Sequence, residues 1–160
     1  MVRSKILIEP VIKWSGSKRS VAPLLSKYIG NQKRYIEPFI GGGSMLPFRQ
    51  IHNGVASDII PELINLWKQI KNNPEQVAHE YQIRWDRLQS EGHNVFYEIR
   101  KNFNQTKNEF DFLFLTRTCV NGLIRYNNNG EFNNSMHNNR PGINPKTLKT
   151  IIFKWSHFIR

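Results

Sequence analysis

The run Tyr35-Ile36-Glu37-Pro38-Phe39-Ile40-Gly41-Gly42-Gly43-Ser44 joins a short apolar, β-rich stretch to three consecutive glycines. Glycine has no Cβ, so such a turn lets a ligand come close to bare main-chain amides and tolerates unusual backbone angles. A helix starting after the turn would add the positive end of its dipole. No Gly-Lys-Ser/Thr follows, so this is not the phosphate loop of nucleotide triphosphatases, and the spacing is not Gly-x-Gly-x-x-Gly either. Taken alone, three glycines also suit a plain tight turn. Asp58 lies about 20 residues beyond the strand, where an acid can accept both hydroxyls of a ribose. A surface aspartate is the competing reading, and the pairing with the glycine turn favours the ribose.

A second cluster precedes it. Pro10 to Arg19 reads PVIKWSGSKR, an aromatic, a glycine turn and two cations just before a helical pattern. The Trp14 face could stack on a base, and Lys18 or Arg19 could reach a carboxylate, a phosphate or a base edge. The structural alternative makes Trp14 core and Lys18 a solvated helix start.

These residues need elements to hold them. The apolar positions Val21, Leu24, Leu25 and Tyr28 predict a helix over Ser17–Tyr28, with Pro23 tolerated early. Arg34–Phe39 predicts a buried strand, Ser44–Ile51 a helix-like stretch, and Gly54–Asp58 a second strand ending in the acid. Together they make a βαβ unit with a nucleotide-site layout. Helices are predicted at Pro61–Asn72, Pro74 to about Gln89, Asn94–Phe103 with an asparagine cap, and Glu109–Val120. Ile124–Asn133 alternates around a glycine turn and predicts a β-hairpin, and Pro145–Ile159 returns to a helical period. Trp67, Trp85 and Trp155 sit at core spacings.

The chain of 160 residues carries 23 Lys and Arg against 12 Asp and Glu, a net charge of +11. That balance suits a polyanionic partner or simply a soluble basic surface. From Arg117 onward the basic residues are Arg117, Arg125, Arg140, Lys146, Lys149, Lys154 and Arg160, against the single acid Glu131. The lone cysteine, Cys119, excludes an internal disulfide framework and fits a reducing, cytoplasmic setting. No apolar run approaches the roughly 20 residues of a membrane span, and no signal-peptide cleavage pattern is seen. The five histidines lack metal-ligand spacing, so no metal is expected.

The segments KWSGSKR, YIEPFIGGGS, SDIIPELINLWKQIKNNPE, FYEIRKNFN and RTCVNGLIRYNNNGEFN, in that order, resemble the Dam-type, D12-class family of DNA adenine-N6 methyltransferases over roughly Pro10 to Asn133. The resemblance implies methyl transfer from S-adenosylmethionine to the exocyclic N6 of an adenine flipped out of duplex DNA, in restriction-modification, phage or Dam-like roles. It implies an α/β fold: a partial Rossmann-like methyltransferase domain with an inserted helical and β-hairpin target-recognition domain. Residues 1–62 would be the cofactor-binding part, 63–143 the recognition domain and 144–160 the return segment. On the cofactor side fall Trp14, Lys18, Glu37, Phe39, Gly41, Gly42, Gly43, Asp58 and Ile59. On the DNA side fall Lys18, Arg117, Asn121, Leu123, Arg125, Asn138 and Arg140. Arg125 stands out because a guanidinium binds a base edge or phosphate bidentately. Double-stranded DNA is the expected partner, with no membrane.

Two departures accompany the match. Where the family continues past GEFN with an apolar-Pro-Phe-Gly stretch, this chain reads NSMHNNR, so the target sequence stays open, with GATC as the family reference. No Asp-Pro-Pro-Tyr/Trp, the motif that aligns the adenine amine, occurs in the 160 residues. Such alignment is worth about 7–11 kcal/mol in well-oriented systems, so the chain alone is expected to be inactive. The readings kept open are a methyltransferase portion, one subunit of a split enzyme completed by a second chain, and a non-catalytic DNA-binding module. A nucleotide-dependent oxidoreductase fits neither the glycine spacing nor the basic charge.

Overall fold

The structure, a computed structural model, describes residues 8–29, 33–48, 54–139 and 142–159. Helix α1 spans Ala22–Ile29, strand β1 Tyr35–Glu37 and strand β2 Gly54–Ala56. Four helices follow: α2 Pro61–Asn72, α3 Pro74–Glu91, α4 Asn94–Thr106 and α5 Glu109–Thr118. Helix α6, Pro145–Phe158, comes last. The two strands pair in parallel, Tyr35 opposite Gly54 and Glu37 opposite Ala56, as a βαβ reading requires.

The core is built around α5. Its residues from Phe110 to Thr118 are all buried, the pattern of a helix covered on every side. The Asn108 side chain starts it by accepting the amides of Phe110 and Asp111 at 2.9 and 3.1 Å. Helices α2, α3 and α4 pack on α5, and α6 packs on α3 and α2. Leu63, Leu66, Trp67 and Ile70 form the buried stripe of α2, and Leu148, Ile151, Ile152 and Trp155 that of α6. Burying each such side chain is worth about 1.5–3 kcal/mol. The buried acid of α5, Asp111, is compensated by Arg84 at 2.7 Å and Asn102 at 2.6 Å.

Several expectations are corrected. Helix α1 begins at Ala22 rather than Ser17, because Pro23 has no amide and belongs in a first turn. Strand β1 is not buried: Ile36 is 59 % exposed, since nothing among the described residues covers that face. The stretch from Ser44 tightens into one 3₁₀ turn, Leu46–Phe48, around Pro47, and residues 49–51 lie outside the described residues. The cap of α4 is His93 with no side-chain bond, Asn94 being the first helical residue. The hairpin over 124–133 shrinks to one antiparallel bridge, Tyr126 with Phe132. The turn takes up its length: the Asn127 side-chain oxygen accepts the amides of Asn129 and Glu131.

Candidate functional site

Gly41 is pinned from three sides. Its amide donates to Asp58 Oδ2 at 3.0 Å, and its carbonyl accepts the Trp67 indole N–H at 3.0 Å. Its φ of +47° is one that glycine adopts without penalty. The third side is Trp14: a Cβ on Gly41 would stand 2.7 Å from the Trp14 indole nitrogen, and one on Gly42 would stand 3.1 Å from Trp14 Cβ. Trp14, Gly41, Gly42 and Asp58 therefore form one cluster. At Gly43 an added Cβ would meet Trp67 and Trp155 at 2.9–3.0 Å. Much of what the sequence offered as bare backbone is thus used to seat indole rings.

The surroundings hold this loop in place. Trp67 and Trp155 lie with ring centres 5.4 Å apart, and the Trp155 N–H donates to the Glu9 carbonyl at 2.8 Å. The Ser17 and Ser44 hydroxyls meet at 2.8 Å, tying the KWSGSKR turn to the glycine loop. Asp58 Oδ1 also takes the Ile60 amide at 3.4 Å, so the acid organises the β2–α2 corner. A carboxylate has about four lone-pair sites, so acceptor capacity remains on both oxygens.

The other cofactor-side candidates are placed as follows. Phe39 is 81 % exposed and Ile59 89 % exposed, apolar neighbours of the glycine loop and of Asp58. Glu37 is half-buried and accepts the Tyr35 hydroxyl at 3.0 Å. Lys18 is exposed, and its carbonyl receives the first amides of the α1 turn.

On the DNA side, Asn121 sits in a turn with φ of +56°, uncommon outside glycine. It lines a cavity of about 660 Å³ together with Trp14 and Ser17, so one candidate of each group shares a wall. Leu123, Arg125 and Asn138 are exposed. Arg125 donates from Nε to Asn133 Oδ1 at 2.9 Å, which keeps its guanidinium on the hairpin. Arg140 lies outside the described residues. Arg117 is corrected as a surface contact: it is 7 % exposed and donates to the Pro10 carbonyl at 3.1 Å. It lies on the all-round buried helix, so it braces the N-terminal segment instead. Burial pushes its guanidinium below the ordinary arginine range, with the Tyr81 and Glu9 charges acting the other way.

Three residues escaped the sequence reading. Asn134 is buried, and its side-chain amide donates to the carbonyls of Val120 and Leu123, both at 2.9 Å, bracketing Asn121. The Tyr126 hydroxyl donates to Glu62 Oε1 at 2.8 Å, linking the hairpin to the first turn of α2, four residues past Asp58. Burial, then the Glu62 hydrogen bond, pushes the Tyr126 phenol well above the usual tyrosine range. A buried-acid signal at Glu62 was available in principle, since Leu63 and Leu66 flank it on the apolar stripe. Asn134 gave none, lying in an asparagine-rich run. Among the described residues there is no cluster of metal-binding side chains, and no helix is long and apolar enough to cross a membrane.

The comparison with known proteins bears on this arrangement. The family described as D12 class N6 adenine-specific DNA methyltransferase matches residues 14–157. The type II methyltransferase M.MjaIII of Methanocaldococcus jannaschii is 33% identical over 147 residues, covering 79% of this chain and 51% of that protein. The DNA adenine methylase of Vibrio cholerae is 33% identical over 126 residues, covering 76% of this chain and 45% of that protein. The DNA N-6-adenine-methyltransferase of Escherichia phage P1 is 35% identical over 133 residues, 77% of this chain but 17% of that protein. The chain spans about half the length of the first two relatives. With the match running from Trp14 through the glycine loop, Asp58 and the Arg125 hairpin to α6, the chain belongs to the D12 class of N6 adenine-specific DNA methyltransferases.

Proposed function

We propose that this chain is the cofactor-binding and target-recognition portion of a site-specific DNA methyltransferase that acts on adenine N6 in duplex DNA and uses S-adenosylmethionine. The observation that carries the reading is the Asp58–Gly41–Trp14 cluster. An acid at the end of a parallel strand holds the glycine loop and keeps lone pairs for a ribose, while an indole lies against the same glycine. Phe39 and Ile59, exposed beside it, offer an apolar surface for the purine. S-adenosylmethionine supplies an electrophilic methyl group when bound. The chain's own residues orient it: Asp58 through the sugar, Trp14 and Phe39 through aromatic contact, Lys18 and Glu37 through charge.

In this reading the paired strands belong to a partial Rossmann-like domain over residues 1–62. The helical block and hairpin over 63–143 form the target-recognition domain, and 144–160 is the return segment. Asn121, Leu123 and Arg125 face DNA on one continuous turn and hairpin, with Asn138 and Arg140 beyond them, and Lys18 shared between cofactor and DNA. No catalytic residue is assigned within these 160 residues, and a second chain supplying that half is part of the reading. Calorimetric titration of the chain with S-adenosylmethionine tests it. Saturable binding that is lost in Asp58→Ala is the expected result; no binding by the unmodified chain would sink the assignment.

A further inference from the structure

The cavity beside Trp14 has a wall chemistry that the cofactor reading does not use. It lies between the segment from Pro10 to Pro23 and the Asn121 turn, and measures about 660 Å³. Its polar lining among the described residues is Lys13, Arg19, Ser17, Ser20 and Asn121: two cations, two hydroxyls and an amide, with no carboxylate. Arg19 Nε is buried and has no hydrogen-bond partner among the described residues. Among the described residues no carboxylate pairs with Arg19, so its cation at the cavity wall is uncompensated within the chain, and an oxyanion is the partner that suits a guanidinium best.

Both walls are fixed in advance. On one side the Ser17 hydroxyl is held to Ser44, and the Lys18 carbonyl accepts the amides of Val21 and Ala22, which sets the turn carrying Arg19 and Ser20. On the other, Asn134 clamps the carbonyls on either side of Asn121, and Gly122 rests on the Lys13 side chain, where a Cβ would stand 2.7 Å from Lys13 Cβ. Asparagine adopts this left-handed conformation readily, so the turn presents the Asn121 side chain at a fixed place.

We propose that this cavity seats one phosphodiester group of the DNA, with the Arg19 guanidinium as its anchor and the Ser20 hydroxyl as a second donor. The seat is sequence-independent. It fixes where the duplex lies relative to Trp14 and Asn121, while Arg125 reads bases from the hairpin. The inference rests on the DNA-methyltransferase reading above.

The test measures binding of the full chain to two duplexes of unrelated sequence by fluorescence anisotropy across a salt series. Arg19→Ala is expected to weaken both duplexes equally and to reduce the slope of log affinity against log salt by about 0.9, one phosphate's worth. Arg19→Lys, which keeps the charge, is expected to restore the slope, a readout that a merely structural role would not move. Arg19→Gln serves as a second charge-removing variant should Arg19→Ala fold poorly. A methylphosphonate scan of one duplex should find a position whose neutralisation costs affinity in the unmodified chain and not in Arg19→Ala. Unchanged slopes in both charge-removing variants would overturn the phosphate seat and leave the DNA reading intact. A loss confined to S-adenosylmethionine titration would overturn it too, reassigning the cavity to the cofactor's carboxylate. Failure of the unmodified chain to bind duplex at any salt would sink both readings.

Discussion

The Tyr126 hydroxyl and the Glu62 carboxylate, 64 positions apart, meet at 2.8 Å in an environment where Glu62 is buried. The bond joins the hairpin that carries Arg125 to the helix that begins three residues after Asp58. With the Trp67 indole on the Gly41 carbonyl and Arg117 on the Pro10 carbonyl, it is one of the hydrogen bonds that tie the proposed recognition region to the proposed cofactor region. Tyr126→Phe would leave the buried Glu62 without that partner. We expect a loss of about 1–3 kcal/mol of stability, read from the urea midpoint. Weaker coupling between S-adenosylmethionine and DNA binding should accompany it. Glu62→Gln keeps an acceptor at the same place and should cost less.

Gly41→Ala tests the glycine loop. The positive φ costs an alanine about 1–2 kcal/mol, and its methyl group would collide with the Trp14 indole. The expected outcome is a folded chain by circular dichroism with altered Trp14 fluorescence and lost S-adenosylmethionine binding in calorimetry. Unaltered cofactor affinity would separate the loop from the cofactor.

Asn134→Ala removes both clamps on the Asn121 turn. The part-buried carbonyls of Val120 and Leu123 each lose a donor, at about 0.5–1.5 kcal/mol per bond. Thermal melting should show the loss. Anisotropy titrations should show weaker DNA binding even though the Asn134 side chain is buried.

Arg125→Ala separates base reading from charge. If Arg125 contacts a base edge, the variant loses discrimination between duplexes while its salt dependence stays close to that of the unmodified chain. Specific binding that persists without S-adenosylmethionine and without Arg125 would favour the DNA-binding-module reading instead.

Cys119 makes alkaline stability measurable. Burial pushes its thiol up to about 11 from 9.0, ahead of the opposing Asn134 hydrogen bond and Lys13 charge. The folded state therefore holds a proton that the unfolded state has already released above pH 9. Its contribution is complete below that pH and is lost as pH rises towards 11. The stability difference between the unmodified chain and Cys119→Ala should shrink by roughly 1.4 kcal/mol per pH unit across that window. Urea melts at four pH values would show it; a constant difference would contradict the burial.

Helices α2 to α6 were legible because long amphipathic periods and proline starts carry their own signal: Pro61, Pro74 and Pro145 each open a helix where the pattern begins. The parallel pairing of β1 and β2 and the Trp14, glycine and Asp58 candidates were legible from spacing, since a strand, a glycine turn and an acid recur in fixed order. What spacing cannot carry is direction and depth. Arg117 is a cation in a basic quarter of the chain, and only the packing of α5 turns it inward to Pro10. Gly43 reads as room for a ligand until Trp67 and Trp155 are found filling it. Asn134 is one asparagine among many until the fold aims its amide at two carbonyls. Local sequence determined which residues could form turns and helices and which acid, Asp58, follows the glycine turn as a candidate for a sugar. Tertiary structure decided which of them face one another, because burial and hydrogen-bond satisfaction depend on groups brought together from distant parts of the chain.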